Sequence, residues 1–168
     1  MNRNFITALR QNHALEHATT SLLTKKLGSG VRMIGRASID GFYIYGNVPT
    51  EAIREAATES LARLQSGERE LAVSPFCGTN IVVAGMMAAL ASFLVLGGKD
   101  RRRRLPQAMV AATWAIIAAQ PVGRAVQKYV TTSSDLSEIT IKRITRRGVG
   151  TRILHKVETA HESPLLEA

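Results

Sequence analysis

The chain has 168 residues, 45% of them hydrophobic, enough for one modest core together with an inserted apolar hairpin. Its formal net charge of +9 is unevenly spread: residues 1–80 carry nine Lys/Arg against seven Asp/Glu, while residues 99–104, KDRRRR, carry five against one. So concentrated a charge is unlike the long basic face of a nucleic-acid binder, and the single cysteine, Cys77, excludes an internal disulfide.

The first predicted element is a helix from Asn4 to Lys26, where Phe5, Leu9, Leu15, Leu22 and Leu23 recur at helical spacing. LGSG, Leu27 to Gly30, supplies its stop. The N-terminus lacks the continuous apolar run of a secretory signal. VRMIGRAS and GFYIYGNV read as two strands joined at Asp40-Gly41. A second helix opens at Pro49-Thr50, with Thr50 as its cap, Glu51 and Glu55 near its positive end, and Ile53, Ala57, Leu61 and Leu64 inward. ELAVSP reads as a short strand leading into FCGTN.

Two charge-free runs follow, Asn80–Gly98 and Leu105–Gly123, separated by the basic loop. Each is near the minimum for crossing roughly 30 Å of hydrocarbon as a helix. Both are apolar around the whole helix, and Gly85, Ala88, Ala89 and Ser92 would let helices approach closely, within one chain or between copies. EITIKRIT and TRILHKVET form a last β-hairpin across RRGVG. The predicted class is α+β: an α-β-β-α-β domain over residues 1–79, a two-helix membrane hairpin over 80–123, a helix end and β-hairpin over 124–160, and a disordered tail over 161–168.

NHALEHATT, within the first helix, carries the chemistry. His13 and His17 are four apart and share a face, with Glu16 at its edge. This H-x-x-E-H pattern is the inverted form of the zinc-protease helix motif. Zn²⁺ takes neutral imidazole ligands, and a neighbouring carboxylate can take a proton from water activated by the ion. Cys77 is the strongest candidate for a third ligand, because a turn just ahead of a helix would favour a thiolate. The plain alternatives are a solvated histidine face and a buried cysteine acting as a small hydrophobe. His155, on the strand face opposite Leu154, and His161, in the polar tail, rank lower as ligands. Asp40 and Asp135 fit turn chemistry, and Thr79 or Asn80 is placed to donate to a developing oxyanion.

RQNHALEHAT, GFYIYGNVPTEAIREAATESLARLQSGERELAV and CGTNIVVAG together resemble a family of bacterial membrane proteins, domain of unknown function 6391, over about residues 8 to 125. The pairing of HALEH with CGT also resembles a second membrane family, of unknown function 1385, suspected of metal-dependent enzyme activity. That resemblance lands on His13, Glu16, His17, Cys77, Gly78 and Thr79, and departs at Ser74, where the second family's turn carries His. The expected protein is a membrane-bound Zn²⁺ enzyme, most simply a hydrolase acting on an amphipathic or membrane-embedded substrate. His13, His17 and Cys77 would hold the metal and Glu16 would serve as base. The competing expectation is a non-catalytic scaffold whose structural metal takes Glu16 as a fourth ligand. The expected location is the bacterial inner membrane. The positive-inside rule alone would place KDRRRR in the cytoplasm and the flanking domain outside. The thiol and the missing signal favour a cytoplasm-facing domain on a shallow or re-entrant hairpin instead.

Overall fold

A computed structural model describes residues 4–28, 30–98, 100–148 and 153–161. The chain divides into two compact units, one of Met1–Ser74 with Val130–Ala168 and the other of Pro75–Tyr129.

The first unit is a mixed helix-and-sheet domain. Helix α1 spans Phe5–Leu27, opened by Asn4, whose side chain accepts from the Ile6 amide, and closed at Gly28 with φ +82. Strands β1 (Ile34–Ser38) and β2 (Gly41–Tyr45) form an antiparallel hairpin, followed by α2 (Thr50–Gln65). After the excursion through the second unit come β3 (Ile139–Arg147) and β4 (Leu154–His161). The antiparallel sheet has the order β1-β2-β4-β3, so the C-terminal hairpin inserts its last strand against β2. Phe42 faces Val157 and Ile44 faces His155 across that seam, and all four are fully buried. Leu15, Leu22 and Leu23 of α1 and Ile53, Ala57 and Leu64 of α2 complete the core. Burial of such side chains contributes roughly 1.5–3 kcal/mol each before entropy is counted.

Several expectations shift in detail. ELAVSP does not form a strand; Arg69–Ala72 makes a 3-10 turn and the chain then runs on without pairing. The two strands that extend the sheet beyond β2, inner β4 and outer β3, come from the C-terminal hairpin. The β1–β2 turn centres on Ile39-Asp40, since Gly41 already pairs with Ser38. Pro49 occupies the α2 cap position, and the Thr50 hydroxyl turns instead to His155 Nε2 at 3.1 Å. Phe5 and Leu9 stay exposed, so the inner stripe of α1 starts later than expected. A bulge between Ile141 and Arg143 shifts the alternation, so that Ile144 packs against the core as Ile139 and Ile141 do, matching the odd spacing of those isoleucines. His161 is the last residue of β4, not part of a tail; residues 162–168 lie outside the described residues.

His155 is a core histidine. Burial, with help from the Arg146 charge, pushes its pKa below the usual imidazole value. The folded state therefore resists a proton that the unfolded chain accepts readily, so stability is complete above about pH 6.5 and falls as pH drops toward the folded pKa. Equilibrium unfolding against pH should show that fall in the wild type. The His155→Gln variant should show a flatter profile below pH 6.5, and an unchanged acid limb would contradict the assignment.

The second unit holds α3 (Gly78–Leu96) and α4 (Leu105–Val126), the latter continuing as a π turn over Gln127–Thr131. Both helices are long and apolar enough to cross a membrane. At 1.5 Å per residue, the 19 residues of α3 extend about 28 Å. Ala108, Ala119 and Gly123 are the buried positions of α4, whereas Phe93, Leu94, Met109, Trp114 and Ile117 are exposed. On α4 the buried positions are thus small residues and the exposed ones large and apolar. Gly85 has open space where a side chain would sit, so the tight approach occurs elsewhere, at Gly123.

Candidate metal centre

Helix α1 is locked in place by its polar residues. Asn12, fully buried, donates through Nδ2 to the carbonyls of Ser38 and Ile39 and accepts from Thr159 Oγ1. On the neighbouring face, Arg10 and Gln11 donate to the carbonyls of Thr132 and Asp135. These bonds fix the rotation of the helix, and so fix where His13 and His17 point. Sequence reading passed over Asn12 because a buried asparagine and a surface one look alike in sequence.

His13 and His17 lie with ring centroids 4.3 Å apart. His13 Nδ1 bonds the Thr131 carbonyl at 2.9 Å, and His17 Nδ1 bonds the Ala72 carbonyl at 2.8 Å. A carbonyl can only accept, so each Nδ1 carries the hydrogen and each neutral ring keeps its lone pair on Nε2. Histidines that ligate metals are commonly oriented in this way. The π turn at Gln127–Thr131 ends at the carbonyl that His13 Nδ1 bonds.

Glu16 is buried, with Oε2 3.8 Å from His17 Nε2. Its place depends on Gly35 in β1: a Cβ there would come within 1.6 Å of Glu16 Oε1. Gly35→Ala should therefore displace the carboxylate and lower stability. Combining it with Glu16→Ala should recover most of the loss in thermal unfolding, and a purely additive pair would contradict the contact.

Cys77 is the cap residue of α3, its sulfur accepting from the Thr79 amide at 3.4 Å. It follows Ala72, the partner of His17, by five residues, so connectivity alone holds the two α-carbons within roughly 18 Å. His13 and His17 belong to the first unit and Cys77 to the second. Imidazole nitrogen and thiolate sulfur are both ligand types that tetrahedral zinc takes, at about 2.0–2.1 Å and about 2.3 Å.

The lesser candidates go elsewhere. His155 sits in the sheet core, and His161 pairs with Glu138. Asp40 and Asp135 accept from Ser38 and Ser137, as turn residues do. The Asn80 side chain donates to the Pro75 carbonyl and accepts from Gln127. Ser74, at the position where the turn motif of the second family has His, is buried.

A mixed helix-and-sheet domain that carries a pair of membrane-compatible helices defines the class, and residues 8–144 match Domain of unknown function (DUF6391). The chain belongs to that family. It is similar to an uncharacterized protein of Picosynechococcus sp. (strain ATCC 27264 / PCC 7002 / PR-6), 34% identical over 142 residues, covering 77% of this chain and 68% of that protein. No solved structure matches it.

Proposed function

We propose that this protein is a membrane-bound zinc-dependent hydrolase acting on an amphipathic or membrane-embedded substrate. The observation that carries the reading is the pair of imidazoles four residues apart on α1, ring centroids 4.3 Å apart, whose Nδ1 atoms are both tied to backbone carbonyls, the orientation that metal-ligating histidines commonly take. His13 and His17 would hold the ion through Nε2 and Cys77 through its thiolate, a three-ligand set of the kind catalytic zinc uses. When bound, Zn²⁺ would supply Lewis-acid activation of water for hydrolysis. Glu16 takes the proton of the attacking water and returns it to the leaving group. Burial around Glu16 strengthens that exchange by excluding bulk solvent.

The substrate class follows from chain position. Cys77 immediately precedes α3, the first membrane-compatible helix, so its ligand sits at the level where that helix leaves the lipid. Exposed Phe76 and Tyr129 lie at the other end of the helical pair from Arg101–Arg104 and suit an interfacial aromatic belt. A lipid, a lipid-linked group or a membrane-protein segment would meet the ion at that level. The location is the bacterial inner membrane with the domain on the cytoplasmic side, where a thiol stays reduced.

Glu16→Gln separates this reading from a scaffold with a closed structural site. Zinc should stay bound at unchanged stoichiometry. Hydrolysis of phospholipid, lipid-linked and acyl-ester substrates in proteoliposomes should fall by about 10²–10⁴-fold, the usual contribution of a general base. Loss of zinc together with unfolding would make Glu16 a fourth ligand, and the scaffold reading would stand instead.

A further inference from the structure

We propose that Asn80 is a positioning residue that holds the Cys77 turn in ligating shape and anchors it to Gln127 at the end of α4. This rests on the zinc site proposed above. Three bonds converge on Asn80: its Nδ2 donates to the Pro75 carbonyl at 3.0 Å, its backbone amide donates to the Cys77 carbonyl at 3.0 Å, and its Oδ1 accepts from Gln127 Nε2 at 2.7 Å. Only one orientation of the amide satisfies both side-chain partners, because the carbonyl must receive a hydrogen and the Gln127 amine must give one.

The turn Pro75–Asn80 is thereby closed across the residue that carries the sulfur. Gln127 is fully buried and is the first residue of the π turn that follows α4. Gly123 keeps the link close: a Cβ there would stand 2.4 Å from Asn80 Oδ1. It lies one helical turn before Gln127, so both present the same edge of α4 to Asn80. Supports of this kind set ligand orientation, and their loss typically costs 10–100-fold in metal affinity.

The test loads the full-length protein in detergent with Co²⁺, reads the near-ultraviolet thiolate-to-cobalt charge-transfer band, and measures Zn²⁺ affinity by competition. Wild type should show the band and Cys77→Ser should not. Asn80→Ala should weaken the band and lower Zn²⁺ affinity 10–100-fold with helix content unchanged, which a residue that merely stabilised the helices would not do. Gly123→Ala leaves the Asn80 chemistry intact but displaces its amide, so it should give the same loss, and it decides the matter should Asn80→Ala fail to fold. A wild-type band with affinity unchanged in both variants would overturn the positioning role alone. A wild type without the band would remove the zinc site, and this proposal with it, before any substitution is made.

Discussion

Replacing His17 by alanine should leave the purified protein without stoichiometric zinc and make it measurably easier to unfold. Two of three ligands cannot keep the affinity of a catalytic site, so the metal should be lost outright. The stability cost is separate. His17 is 3% exposed and its Nδ1 satisfies the Ala72 carbonyl. Truncation orphans that carbonyl, at about 1–3 kcal/mol, and leaves a cavity besides. His13 is only half-buried, so His13→Ala should lose metal with a smaller change in stability. Metal analysis and denaturant unfolding of both variants check the pair. Retention of zinc by both would show that the histidines are not the ligands.

Gly41→Ala should be the most damaging change in the sheet. Gly41 has φ +141, a conformation that side chains rarely adopt, and a Cβ there would stand 1.9 Å from the Val157 carbonyl oxygen. Backbone cannot yield as a side-chain tip does. The variant must part β2 from β4 or carry strain of about 1–3 kcal/mol in addition to the clash. Because β4 brings Val157 and His155 into the core, parting the strands should expose it. Hydrogen exchange should show lost protection in β2 and β4, and retained protection there would contradict the account.

Gly41 also shows where sequence reading reaches and where it stops. Asp40-Gly41 marks a hairpin correctly, but the glycine is required by a strand more than a hundred residues later, and local sequence does not announce that neighbour. The helices, the two hairpins and the charge-free runs were legible because periodicity and apolar length are local signals. ELAVSP misled for the same reason: its apolar alternation suits a strand, but β4 already occupies the free edge of β2. In the site, H-x-x-E-H and the Cys-Gly-Thr turn could be read from residue type and spacing. Asn12, Gly35, Asn80 and Gly123 could not, because each matters through a partner far along the chain or on another element. Thr50 suits a helix cap by local sequence, and the partner its hydroxyl takes, His155, lies 105 residues further on.

The central proposal is that His13, His17 and Cys77 are the ligands of one zinc ion. Elemental analysis of the wild-type protein tests it most directly, on material purified in detergent without chelator and with Cys77 kept reduced. The account predicts close to one zinc per chain, lost on replacement of His13, His17 or Cys77 and retained in Glu16→Gln. Substoichiometric metal in the wild type, unchanged by those replacements, would contradict it.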